Sequence, residues 1–195
     1  MWRHISIAIR LAFVTLLITG IAYPLAITGI AQVAFPKQAN GSLVKRDGKV
    51  VGSKLIGQQF TRPEYFHPRP SAAGAGYDAV ASGGSNLGPT NKKLIERVSS
   101  DVKKVRKENP NLIGHKVPVD MVTTSASGLD PDITPANAYA QISRVAQARG
   151  ISKGNIKNLI DENITKRQFG VLGEPRVNVL RLNMALDATY KIGAR

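Results

Sequence analysis

The chain of 195 residues contains no cysteine, which excludes disulfides, thiolate metal sites and cysteine nucleophiles together. That absence fits any compartment and does not locate the protein. Aromatic residues make up only 6% of the sequence, and none is interleaved with basic residues as a stacking platform, so nucleic acid is not an expected partner. Carboxylates are scarce: 13 Asp and Glu stand against 27 Lys and Arg, a formal charge of +14. Such an excess points to an anionic neighbour, here lipid headgroups. The three histidines, His4, His67 and His115, are scattered and form no H-E-x-x-H pair, so no metal site is expected. A Walker lysine loop and a G-x-G-x-x-G helix opening are also missing. What is present is 43% hydrophobic residues, enough for a packed core and against wholesale disorder.

The longest hydrophobic run decides the class. "LAFVTLLITGIAYPLAITGIAQVAFP", residues 11–36, has no ionisable group except the phenol of Tyr23. About twenty such residues in a helix cross a hydrocarbon core of ~30 Å. A cleaved signal peptide is the competing reading, but its apolar region is usually about 7–15 residues long. The expected organisation is a short cytoplasmic N-terminus at 1–10, a transmembrane helix at 11–35 and one extracytoplasmic domain at 36–195. Ala22 and Ala26 place small residues on one helix face, where another helix can approach closely. Pro24 is expected to bend the span. With no carboxylate, lysine, arginine or histidine inside it, the span offers no ion site of its own. Basic residues flank it on both sides, which leaves the topology open on charge alone.

Beyond the anchor, Asp47-Gly48 between Leu43-Val44 and Val50-Val51 predicts a hairpin. A helix is expected from near Pro89-Thr90, with Leu94, Ile95, Val98, Val102 and Val105 as its apolar face, ending at Asn109-Pro110. Alternation of Val117, Val119 and Met121 predicts an extended segment. Thr134, Pro135 and Gly150 mark the cap, first turn and exit of a further helix, with Asp130 and Asp132 just ahead of its positive end. Another helix is expected over about 152–166 on Ile156, Leu159, Ile160 and Ile164. A strand over about 176–182 then turns into a last short helix. The fold class is α+β, a small mixed domain on a membrane stalk.

Between these elements lies "YFHPRPSAAGAGYDAVASGGSNLGPTN", residues 65–91, whose only charged side chains are Arg69 and Asp78. Its segment Ser82, Gly83, Gly84, Ser85 is a weak candidate nucleotide loop; the plainer expectation is that its glycines supply positive φ in an ordered turn. Ser100 and Lys103 form an S-x-x-K pair, so a membrane-anchored Ser/Lys hydrolase is the alternative function, set against a solvated helix face beside Lys104 and Lys107. Asp130 and Asp132 are weighed as oxygen ligands for a hard cation. No cofactor is assigned to the chain itself.

A run of motifs in fixed order resembles the KdpC subunit family of bacterial potassium-transporting P-type ATPases: "TGIAYPL", "QANGSLV", "GSKLIGQQF", the stretch 65–91, "VPVDMVTTSASGLDPDITPANAYAQISRVAQARG" and "GEPRVNVLRLNMALD". The resemblance implies a non-catalytic accessory subunit of an ATP-driven potassium uptake pump in the bacterial cytoplasmic membrane. Its implied partners are a channel-like potassium-binding subunit, a P-type ATPase subunit and a small single-helix subunit. It further implies one membrane crossing with the N-terminus inside, and a role as catalytic chaperone that raises ATP affinity. An external domain cannot touch cytoplasmic ATP, so that effect is expected to be indirect, with assembly as the main task; ATP and K+ belong to the complex. On this reading Ala22, Pro24, Ala26, His67, Arg69, Ser71, Tyr77 and Asn86 are the docking candidates.

Overall fold

A computed structural model describes residues 1–191, and the chain divides into two units, residues 1–51 and 52–195. The first unit opens with α1 (Trp2–Leu17), a turn of π-helix (Ile18–Ala22) and α2 (Tyr23–Ala34). Together they make one apolar helix of 33 residues, Trp2–Ala34, long enough by length and composition to cross a membrane. Pro24 has no N–H to donate, and the turn before it widens, with the Tyr23 N–H reaching back to the Ile18 carbonyl. A short α3 (Pro36–Ala39) leads to the hairpin of β1 (Leu43–Arg46) and β2 (Lys49–Ser53). Asp47 and Gly48 take φ of 50° and 76°, the paired positive angles that a two-residue type I′ turn requires.

The second unit is built from α4 (Lys92–Glu108), β3 (Asp132–Ile133), α5 (Pro135–Ala140), α6 (Ile142–Arg149), α7 (Lys153–Asn163), β4 (Ile164–Thr165), β5 (Arg176–Asn178) and α8 (Val179–Thr189). The three short strands form an antiparallel sheet in the order β3-β5-β4. Val177 at its centre faces both Ile133 and Ile164. The main core joins Phe66, Ile133, Val145, Ile156, Ile160, Val177, Leu182 and Leu186. A smaller cluster of Val105, Leu112, Met121 and Val122 seats one edge of α4. This is the expected α+β domain following an N-terminal apolar helix.

Several expected boundaries move, each for a local reason. The helix expected from Pro89-Thr90 starts at Lys92, because the Asn91 side chain accepts from the Lys93 N–H; Ile95 lies exposed and only Val105 of its apolar face is fully buried. Residues 117–121 are not extended: Val119–Met121 is a 3-10 turn that leaves Val119 exposed and Met121 buried. The helix begun at Thr134 is broken at Gln141, while Gly150 closes it at φ 66°. The helix at 153 stops at Asn163, and Ile164 turns extended to pair with Val177. The strand at 176 ends after three residues, since Asn178 caps α8 by accepting from the Arg181 N–H.

Candidate functional site

The stretch preceding α4 has almost no regular secondary structure, so its buried backbone groups need other partners. Side chains of α6, α8 and Gln141 supply them. Asn183 accepts from the Phe66 N–H (2.8 Å) and donates to the Phe66 carbonyl (3.0 Å). Gln141 treats His67 the same way, at 2.7 and 3.1 Å. Each amide side chain therefore stands in for the neighbouring strand that this segment lacks. Gln141 also donates to Asn137 (2.7 Å).

Arg144 completes the grip. It is 8% exposed, and its guanidinium donates to the carbonyls of Pro63 (2.6 Å) and Tyr65 (2.9 Å), to Asn109 Oδ1 (3.2 Å) and to Gln141 Oε1 (2.5 Å). All four acceptors are neutral, and burial pulls the guanidinium down to about 10, still fully charged at neutral pH. One turn on, Arg149 donates to the Glu64 and Tyr190 carbonyls (2.8 and 2.9 Å) and pairs with Asp187 at 2.7 Å. Its guanidinium lies 4.9 Å from the centre of the Tyr65 ring.

Residues 69–77 are tied to the 124–130 loop. Arg69 pairs with Asp130 (2.9 Å) and donates to the Thr124 carbonyl (3.3 Å). Ser71 Oγ donates to the Gly128 carbonyl (2.6 Å) and accepts from the N–H groups of Ala73 and Tyr77. The Tyr77 hydroxyl donates to the Arg69 carbonyl, and burial pushes its pKa up to about 12, so it stays a donor. The glycine-rich segment follows the same loop: Gly83 N–H and Ser82 Oγ both donate to the Ser127 carbonyl (2.8 and 3.1 Å). The expectation of positive φ at its glycines is corrected, since that conformation falls on Asn86 (φ 51°) and not on Gly83, Gly84 or Gly88. A Cβ at Gly84 would lie a tight 3.0 Å from the Ala126 carbonyl oxygen. The sharper constraint is Gly128, at φ 67°, where a Cβ would sit 2.6 Å from both Ala73 N and Gly83 O.

A cleft of about 370 Å³ opens between residues 59–77 and α4, with Phe60, His67, Tyr77, Asp101, Glu108 and Gln141 in its lining. His67 faces the Arg62 carbonyl through Nε2 (3.1 Å) and Glu108 through Nδ1 (3.5 Å). Burial first, and the charge of Arg144 second, hold its pKa below the ordinary value, so a neutral ring has one N–H for two acceptors. Among the described residues, no cluster of three or more His, Asp and Glu side chains is placed to hold a metal.

The structure thus brings Arg69, Ser71 and Tyr77 into one network with the 124–130 loop, holds His67 separately against Gln141 and Glu108, and places Asn86 exposed on the adjoining loop. Ala22, Pro24 and Ala26 lie on the exposed apolar helix of the other unit. Asp130 and Asp132, expected at a helix N-terminus, instead pair with Arg69 and with Arg176 (2.9 Å each). The acid that serves the start of α5 is Asp120, which accepts from the Thr134 N–H (2.8 Å), the Thr134 hydroxyl (3.2 Å) and Asn137 Nδ2 (3.0 Å). Ser100 and Lys103 are both exposed on α4. Sequence reasoning missed Asp120, Gln141, Arg144, Arg149 and Asn183. The one signal for them was a set of polar side chains on otherwise apolar helix faces.

The family described as "KdpC: K+-transporting ATPase, c chain" matches residues 5–188, and so runs through both units. The chain is similar to the protein named Potassium-transporting ATPase KdpC subunit from Caulobacter vibrioides (strain NA1000 / CB15N), 62% identical over 172 residues that cover 88% of this chain and 86% of that one. The Myxococcus xanthus protein of the same name is 58% identical over 184 residues, 94% of this chain and 87% of its own. The Koribacter versatilis (strain Ellin345) protein is 52% identical over 189 residues, 97% and 96% of the two chains. The family match and the likeness over most of both chains show that the chain belongs to the KdpC family of potassium-transporting ATPase subunits.

Proposed function

We propose that the chain is a non-catalytic accessory subunit of an ATP-driven potassium uptake pump, and that its task is to assemble and stabilise the complex. Residues 11–35 anchor it in the bacterial cytoplasmic membrane with the N-terminus inside and the domain outside. The partners are the channel-like potassium-binding subunit, the P-type ATPase subunit and the small single-helix subunit, with the external domain over the potassium entrance. Ala22 and Ala26 form the face on which a partner helix packs, and Pro24, on the opposite side, sets the shape of the helix there. His67, Arg69, Ser71 and Tyr77 shape the domain, and Asn86 and the exposed Ser82 meet the partner at its crest.

One observation carries this reading. The backbone of residues 63–67 is held by the side chains of Gln141, Arg144 and Asn183, and the Ser71 and Tyr77 side chains bond to the chain's own backbone, as in a surface built to keep its shape. Two donors of the candidate nucleotide loop, Gly83 N–H and Ser82 Oγ, are held by Ser127, which favours an indirect effect on ATP affinity over contact with ATP. Ser100 and Lys103, both exposed, have no apolar surroundings to activate a nucleophile.

The test is to purify the pump from cells with and without this chain and measure potassium-stimulated ATP hydrolysis against ATP concentration. The account expects the complex lacking it to fall apart in mild detergent and lose stimulation, while Ser100→Ala changes nothing. A complex of unchanged stoichiometry and activity without the chain would refute it.

A further inference from the structure

The chain leaves its apolar helix through a short and strongly basic stretch. Residues 35–51 carry Lys37, Lys45, Arg46 and Lys49 against one carboxylate, Asp47. Lys37, Lys45 and Lys49 are exposed, and among the described residues none of the three is paired with a carboxylate. Two aliphatic side chains stand in the open beside them on the hairpin: Leu43 is 47% exposed and Val50 54%.

The tether fixes how far these groups lie from lipid. From Arg10 to Ala34 the helix is about 36 Å long, more than the ~30 Å of a hydrocarbon core. A spanning helix therefore delivers Ala34 to the level of the headgroups, and Lys37 follows at once in α3. The hairpin does not swing away on a loose linker. The Ser42 N–H donates to the Lys37 carbonyl (2.9 Å), so β1 starts beside Lys37. Asn40 Nδ2 donates to the Pro36 carbonyl (2.6 Å) and to Gln32 Oε1 (3.1 Å), which ties the connection to the last turn of α2. Lys45 stands two residues along the strand from Leu43, about 7 Å, within the Debye length of about 8–10 Å at ordinary salt.

Charge and position together identify the occupant. Unpaired lysines at headgroup height attract anionic lipid, and their long stems, like neighbouring aliphatic groups, lie against the acyl boundary while the ammonium reaches a phosphate. Every copy of the chain brings this stretch to the bilayer on its own helix, whatever else it binds. We propose that Lys37, Lys45 and Lys49, with Leu43 and Val50, form a binding site for anionic phospholipid headgroups at the exit of the membrane helix. The proposal rests on the reading of residues 11–35 as a membrane anchor and requires no particular docking of the domain.

The test uses the full chain reconstituted into vesicles of equimolar phosphatidylcholine and phosphatidylglycerol with the same acyl chains, Val50 being replaced by the photo-crosslinking residue p-benzoylphenylalanine. Irradiation is expected to give lipid adducts in which phosphatidylglycerol exceeds phosphatidylcholine about fivefold, the preference that one cation near an anionic surface supplies. Lys37→Gln with Lys45→Gln and Lys49→Gln is expected to bring the two lipids to equal yield. So is 1 M salt, where the Debye length shrinks to about 3 Å. Equal yields with the lysines intact, no lipid adduct, or a preference that survives the triple substitution each overturn the site. In vesicles holding the whole pump, an adduct with another pump polypeptide in place of lipid overturns it too, in favour of a protein occupant. A chain that alkaline carbonate strips from the vesicles would instead remove the membrane-anchor reading, and this proposal with it.

Discussion

Replacing Arg144 with methionine removes a charge but leaves the volume largely filled. The Pro63 and Tyr65 carbonyls lose the donor that reaches them at 2.6 and 2.9 Å. Gln141 Oε1 keeps the His67 N–H. Asn109 Oδ1, on a fully buried residue, loses its Arg144 donor too; a buried acceptor left under-satisfied costs about 1–3 kcal/mol, and the part-buried Pro63 and Tyr65 carbonyls add less. Against this, methionine avoids the guanidinium desolvation that draws the Arg144 pKa down to about 10, and no charged partner is stranded. The net loss is about 3 kcal/mol, which lowers the melting temperature of a domain this size by roughly 10 °C. Differential scanning calorimetry of the full chain in detergent reads this directly, because the apolar helix stays folded in the micelle. Arg144→Lys should recover less than half, since one ammonium cannot span acceptors on both sides. A methionine variant melting within about 2 °C of wild type would refute the claim that Arg144 holds residues 63–67 in place.

Three further outcomes follow from the same geometry. His67 is held below its ordinary pKa by burial and Arg144, so below pH about 6.5 the unfolded chain binds the proton that the folded one resists, and stability falls as pH drops towards the folded pKa. His67→Gln should remove that part of the slope between pH 7 and 5, and identical slopes in urea titrations would contradict it. Gly128→Ala forces a Cβ against two backbone atoms at a φ of 67°, so it should destabilise by about 2–4 kcal/mol, readable as a drop in urea midpoint at constant slope. Ala22→Leu with Ala26→Leu leaves the domain's melting temperature unchanged but, if the face packs on a partner helix, reduces co-purification of the other pump subunits; unchanged recovery would count against that face.

Features encoded within a few residues were legible before the fold. Asp47-Gly48 makes its hairpin turn, and Thr134, Pro135 and Gly150 mark the ends of α5 and α6 because each acts on the backbone beside it. Asn178 shows the limit: β-branched Val177 and Val179 read as a continuing strand, whereas the Asn side chain caps a helix between them. The clamps were illegible because their partners lie far apart in the chain. Asn183 meets Phe66 across 117 positions and Arg144 meets Pro63 across 81, and a polar residue on a helix looks the same whether it faces water or a buried carbonyl. Gly128 was hidden similarly, since only the folded loop brings Ala73 and Gly83 against it. The motif named His67, Arg69, Ser71 and Tyr77 as docking candidates, but the partners of His67, Arg69 and Ser71 among residues 124–144 were visible only in the fold.

The most direct measurement is affinity purification of the tagged full-length chain from potassium-starved cells in mild detergent, with every co-purifying polypeptide identified and quantified. The account predicts a P-type ATPase subunit and a channel-like subunit at near-equal amounts to the chain. Recovery of the chain alone, from cells shown to express those partners, would contradict it.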